Sequence, residues 1–318
     1  MRVAVTGATG MLGSALVSAL VERGDEVTAL SRNAARASEA LGVPAETWAD
    51  PEAERAPLDA LRGRDGVVHL LGEVIAQRWS DETKREIRDS RVLSTRNLVA
   101  ALRELPPEER PRVLVSGSGA GWYGHRGDER LDESTTQPGD DFLAQLSDDW
   151  ETEARAAEEL GLRVVLNRTG VVLSDSGGAL EKMLPFFKAA IGGPVAGGRQ
   201  YVPWVHRDDV VGATIFALDN EALRGPVNVT APEPVTNKEL SRTLGRVLRR
   251  PAFAPVPALA VKALYGDMAQ IVTTGQRAVP AALTTAGYQF KQPELEPALR
   301  DIVGSRAPPA RGPATGRA

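Results

Sequence analysis

Short apolar runs alternate with longer amphipathic ones over the first half of the chain. Arg2-Val3-Ala4-Val5-Thr6 is rich in β-branched residues and ends in glycine, the pattern of a parallel strand buried on both faces. From Met11 to Arg23, Leu12, Ala15, Leu16, Ala19 and Leu20 recur at helical spacing, and Gly24 is the stop signal. Val27–Leu30 reads as a second strand, with further strands at about Glu46–Ala49, Gly66–Leu70, Val113–Ser116 and Arg163–Asn167. Helical stretches separate most of them, notably Asp81 to Leu105 and Asp140 to Leu160. This alternation predicts an α/β fold, a doubly wound parallel sheet of Rossmann type. Ligands bind such sheets outside the carboxyl ends of the strands.

The second half is more mixed. Gly192-Gly193-Pro194-Val195-Ala196-Gly197-Gly198 reads as a loop, Asp208–Leu218 as a helix, Val227–Val229 as a strand and Asn237–Leu248 as a helix. Past Pro251 a small, mostly helical lobe is expected to run to about Val303. The predicted division is a dinucleotide-binding domain over 1–230 that includes substrate-lobe insertions, a C-terminal lobe over 231–303, and a disordered tail over 304–318 with almost no large apolar residues.

Composition narrows the functions. The 38 basic and 42 acidic residues leave a net charge of −4, which offers no excess to neutralise nucleic-acid phosphates. No apolar run approaches the roughly 20 residues needed to span a bilayer, and the N-terminus enters a strand without a signal-peptide pattern. A cytoplasmic protein with no nucleic-acid or membrane partner is expected. Cysteine is absent, and three histidines, His69, His125 and His206, make a metal site an unfavoured reading.

Five segments carry candidate chemistry. Gly7-Ala8-Thr9-Gly10-Met11-Leu12-Gly13 joins a strand to a helix, where glycines let backbone approach a pyrophosphate held on helix N–H groups. Ser31-Arg32 ends the second strand, where an acidic residue would bind an NAD ribose. A hydroxyl and a guanidinium suit the 2′-phosphate of NADP instead. Leu70-Leu71-Gly72-Glu73 leaves a strand where ribose and nicotinamide would pass, while the apolar flanks of His69 mark it as a core histidine. Ser116 and Ser118 end another strand before Trp122-Tyr123; either a serine polarises a substrate oxygen and Tyr123 relays its proton, or the serines cap the loop backbone and Tyr123 packs. Asp208 or Asp209 reads as a helix cap, His206 as a distant crevice candidate, and Arg168 and Arg199 as anion clamps or solvated surface arginines.

Taken together, the chain resembles the extended and atypical short-chain dehydrogenase/reductase superfamily, and within it the YfcH-like epimerase-family proteins. The likeness rests on Val5-Thr6-Gly7-Ala8-Thr9-Gly10, Leu71-Gly72-Glu73, Trp79 with Arg88-Asp89-Ser90-Arg91, Pro138-Gly139-Asp140-Asp141-Phe142-Leu143, Arg168-Thr169-Gly170-Val171-Val172-Leu173 and Asn228-Val229-Thr230-Ala231-Pro232. The superfamily implies a Tyr-x-x-x-Lys pair on the helix after the serine strand, and here that register holds Leu143 and Ser147. The resemblance therefore implies one of two functions. One is an NADP(H)-dependent oxidoreductase or epimerase-like enzyme for a small carbonyl or sugar-like substrate, using Ser116, Ser118 and Tyr123. The other is an NADP(H)-binding sensor that has lost the chemistry. A homodimer through the two long helices is the superfamily expectation.

Overall fold

The computed structural model describes residues 1–305. Seven strands form one parallel sheet: β1 Arg2–Thr6, β2 Glu26–Ser31, β3 Ala45–Thr47, β4 Gly66–His69, β5 Val113–Gly119, β6 Arg163–Thr169 and β7 Gly225–Val229. Their spatial order is β3-β2-β1-β4-β5-β6-β7, the doubly wound arrangement whose strand order reverses between β1 and β4.

Both sheet faces are covered, and the strand pattern explains why. Val3, Val5, Val68, Val113 and Val115 point to one side, where helix α1 (Met11–Glu22) packs through Leu16, Val17 and Leu20. Arg207–Asp219 joins it there through Val210, Ala213 and Ala217. Ala4, Val67, Leu114, Val164 and Leu166 point the other way, onto Leu98 and Leu102 of the helix Asp81–Glu104 and Ala154 of Phe142–Arg155. Alternate residues of each strand thus enter different cores, and the runs read as uninterruptedly apolar.

The long helices start where their caps stand. Ser80 accepts from the Thr83 amide and Asp141 from the Ala144 amide, each satisfying an otherwise orphaned donor. Two elements depart from the sequence expectation. The stretch expected over Asp140 to Leu160 is a helix only over Phe142–Arg155, followed by a 3-10 turn at Glu158–Leu160. A helix at Gly178–Lys188 was not expected, because Gly177-Gly178 and an internal Pro185 hide its periodicity.

Leu173, Leu180, Leu184 and Trp204 share a third core with Leu240, Leu244, Leu295, Leu299 and Ile302. One hydrophobic cluster therefore joins residues on both sides of position 230. Asp209 reinforces the junction: its buried carboxylate accepts from the Lys291 and Gln292 amides at 2.7 and 2.9 Å. This corrects the capping role expected of Asp208 or Asp209. The cap of Arg207–Asp219 is His206, whose Nδ1 accepts from the Asp208 amide at 3.2 Å. His206 is buried, with Nε2 3.4 Å from Asp301, and holds this junction instead of reaching the crevice. The last helix runs Leu295–Ser305, two residues into the stretch expected as a tail, and 306–318 lie outside the described residues.

Candidate functional site

The sheet register brings the candidates to one edge. Leu30, Thr6, His69, Ser116 and Leu166 form a single row across β2, β1, β4, β5 and β6. The next residues in chain order are Ser31, Gly7, Leu70 and Gly117, so the glycine turn, the Ser31-Arg32 corner and the Leu70–Glu73 exit adjoin one another at the carboxyl ends of the strands.

The three glycines of the turn have different duties. Gly7 has φ +64°, and a Cβ there would lie 2.7 Å from the Leu70 carbonyl oxygen. A Cβ on Gly13 would lie 2.2 Å from the Gly7 oxygen. Both glycines are required by the protein's own backbone. Gly10 is different: its φ is −75°, and a Cβ would meet only the Gly7 oxygen, at 3.3 Å. Otherwise it would project into open space at the α1 N-terminus. No side chain caps that helix, and its first turn carries no acidic residue. Its first amides are left for an anion, and the residues present fit a pyrophosphate. Ala8 is buried in the core and Leu12 packs against it. Thr9, Gly10 and Met11 line a groove of about 740 Å³ that continues along α1 towards Arg207 and Lys291.

At the second corner, the Ser31 hydroxyl accepts weakly from the Asn33 amide (3.3 Å), and Asn33 caps the helix Ala34–Leu41. Arg32 is exposed and forms no ion pair among the described residues, so its guanidinium is available to a phosphate. At the third, Leu70 and Leu71 are half-buried, whereas Gly72 and Glu73 are exposed. Arg91 lies beneath Gly72, where a Cβ would meet its guanidinium carbon at 2.7 Å. Arg91 donates to the Glu73 and Ile87 carbonyls, and the Glu73 amide donates to Ser90. Burial lowers the Arg91 pKa to about 10. Sequence reasoning named Ser90-Arg91 only as matching residues; their role as the floor of this loop depends on a helix brought from elsewhere in the chain.

His69 is a structural residue. Thr95 donates its hydroxyl hydrogen to the Arg91 carbonyl, so it accepts from His69 Nε2–H at 3.0 Å. Nδ1 is then the acceptor for Thr6 at 2.7 Å, and the Thr6 oxygen accepts from the Leu70 amide. Burial alone drives the imidazole pKa down to about 3, and the ring stays neutral.

The expected acid–base groups need correction. Ser116 is fully buried and donates to the Gly117 carbonyl. Tyr123 is fully buried, with its hydroxyl held by Asn228 Oδ1 at 2.9 Å and the Asp132 carbonyl at 3.0 Å. Burial pushes its phenol above the ordinary value, the opposite of what a proton-transferring tyrosine needs. Both are packing residues in this structure. Arg168 is no anion clamp either. It is buried, forms a two-pronged pair with Glu151 at 2.7 and 2.8 Å, and lies over the Trp122 ring at 3.5 Å. Arg199 is exposed.

Ser118 remains, and Glu151 defines it. Its hydroxyl donates to Glu151 Oε1 at 2.7 Å, which commits its one hydrogen and leaves only oxygen lone pairs for a ligand. Glu151 escaped the sequence reading, although its spacing from Leu143 and Ser147 places all three on one helical face. Leu143 and Ser147 do face the loop after β5: a Cβ on Gly121 would touch Leu143 at 3.1 Å, and one on Gly119 would touch Ser147 Oγ at 3.7 Å.

Comparison with known proteins places this site in context. Residues 3–230 match the NAD dependent epimerase/dehydratase family, and residues 256–302 match a domain of unknown function, DUF1731. An epimerase family protein of Mycobacterium bovis is 42% identical over 299 residues, covering 93% of this chain and 96% of the relative. The epimerase family protein YfhF of Bacillus subtilis is 35% identical, covering 96% and 99%. The crystal structure of human epimerase family protein SDR39U1 with NADPH superposes with a TM-score of 0.85 at 35% identity, covering 96% of this chain and 99% of that one. The chain therefore belongs to the NAD dependent epimerase/dehydratase family.

Proposed function

We propose that this protein binds NADP(H) and acts as an oxidoreductase or epimerase-like enzyme on a small carbonyl or sugar-like compound. The observation that carries the reading is the pairing of an uncapped helix N-terminus open at Gly10 with Arg32 at the end of β2, which forms no ion pair among the described residues. The similar human protein was solved with NADPH, which supports the same choice. Gly10, Met11 and the α1 amides would hold the pyrophosphate, Ser31 and Arg32 the 2′-phosphate, and Leu70 to Glu73 the nicotinamide side. Bound there, the cofactor supplies hydride exchange with a carbon bearing oxygen. The protein supplies binding and orientation, with Ser118 offering a lone pair that favours a ligand hydroxyl over a carbonyl.

A fluorescence titration tests this directly. Wild type should prefer NADPH over NADH, and Arg32→Ala should lose that preference while still binding NADH. Equal affinity for both cofactors in wild type would refute the assignment of Arg32.

A second reading, an NADP(H) sensor without turnover, is favoured by the burial of Ser116 and Tyr123 and by Leu143 and Ser147 at the Tyr-x-x-x-Lys positions. It predicts tight cofactor binding with no cofactor oxidation or reduction across a broad carbonyl and alcohol panel; robust turnover of any member excludes it.

A further inference from the structure

The helix Asn237–Leu248 is followed by Arg249-Arg250, and then by eleven uncharged residues, Pro251 to Val261. The short helix Ala258–Tyr265 (Ala-Leu-Ala-Val-Lys-Ala-Leu-Tyr) is apolar almost all round, which ordinarily marks an element buried on every side. Only Val261 of it is buried. Leu259 is 78% exposed, Leu264 66%, and Phe253 just before the helix 81%.

The segment is held in place by its backbone. Val256 pairs with Val195, and the Ala254 carbonyl lies against Gly193, next to the exposed Ile191. At the far end Arg78 reaches the Ala263 and Leu264 carbonyls, and Trp79 bridges to Gly266. The side chains are thus presented outward from a fixed frame.

Beside Phe253 is a concentration of positive charge on a chain that is net negative. Arg242, Arg246, Arg249, Arg250 and Phe253 line a surface hollow of about 540 Å³. Among the described residues, only Arg246 of these four arginines forms an ion pair, with Glu296.

We propose that this face docks on an anionic lipid bilayer, with the arginines at headgroup phosphates and Phe253, Leu259 and Leu264 entering the acyl boundary. Charge complementarity selects this occupant. A second copy docked face to face would set one arginine cluster against another. A soluble polyanion would engage the arginines and leave the apolar helix uncovered. An anionic bilayer satisfies both halves of the surface at once. No helix among the described residues is long and apolar enough to cross a membrane, and surface docking needs none.

The test is flotation of the full chain with vesicles of phosphatidylcholine and phosphatidylglycerol, against phosphatidylcholine alone. Wild type should float with the anionic vesicles only, and added salt should release it. Arg249→Ala/Arg250→Ala should weaken partitioning on the order of 30-fold, and Phe253→Ser about tenfold. Both variants should keep the wild-type thermal melt and NADPH affinity, since neither touches the glycine turn. Absence of flotation with anionic vesicles, equal flotation with neutral ones, or binding to heparin without flotation would each overturn the proposal. So would a dimer that dissociates on Phe253→Ser with no vesicle binding.

Discussion

Alanine at Gly10 and at Gly13 should have opposite effects, although the two positions are three residues apart in one turn. At Gly13 the new Cβ would lie 2.2 Å from the Gly7 oxygen and 2.8 Å from the Ala8 Cα, both backbone atoms that cannot swing aside. Overpacking of this kind costs about 3 kcal/mol or more, offset by the roughly 1 kcal/mol that alanine gains over glycine within a helix. Gly13→Ala should therefore lose about 2 kcal/mol of stability. At Gly10 the backbone is unstrained at φ −75°, and the new Cβ meets only one protein atom, at 3.3 Å. The weaker capping of alanine sets the stability loss at less than about 1 kcal/mol. The methyl instead occupies the space from which a pyrophosphate would approach. A clash worth about 1–3 kcal/mol raises the NADPH dissociation constant about 5- to 150-fold. Urea unfolding and NADPH fluorescence titration of the two variants separate the terms. If Gly10→Ala binds NADPH within about twofold of wild type, the cofactor does not lie on this turn and the site assignment fails.

Two further outcomes follow from the buried polar groups. Glu151→Gln leaves the enclosed Arg168 without its counter-charge and should cost about 3 kcal/mol in urea unfolding, whereas Glu151→Leu/Arg168→Met should recover most of that loss. A double variant no more stable than the single one would show that the pair is not the source of the cost. His69 should also make the fold acid-sensitive. Its folded pKa is about 3, so below about pH 6.5 the unfolded chain takes a proton that the native state refuses. Stability from this group is full above that pH and falls by up to about 1.4 kcal/mol per unit as pH drops towards 3. His69→Gln should have a correspondingly shallower slope between pH 6 and pH 4 (about one proton fewer); equal slopes would mean that the imidazole does not stay neutral.

What the sequence alone determined was whatever depends on local pattern. The seven strands read from the sequence all lie in the sheet near their expected positions. The glycine turn was legible for the same reason: Gly10 and Gly13 answer to contacts within one strand–turn–helix unit, whereas Gly7 also answers to Leu70 at the exit of the neighbouring strand. The helix Gly178–Lys188 was not legible, since Gly177-Gly178 and Pro185 hide its period and most of its apolar partners, such as Leu240, Leu244 and Leu299, come from much later in the chain.

Tertiary structure decided the fate of each polar candidate. Ser116, Ser118 and Tyr123 look equivalent as hydroxyls at the end of a strand. Which one keeps a usable oxygen depends on Asn228, Asp132 and Glu151, contributed by β7, a loop and the helix after β5. Arg168 and Arg32 are likewise the same side chain in the sequence. One is enclosed by a carboxylate and an indole, while the other stands exposed at the corner of β2. A side chain's type gives the chemistry it can do. Whether it is solvated, paired or sealed depends on which distant segments the sheet order brings against it, and in this protein that separates a packing residue from a binding one.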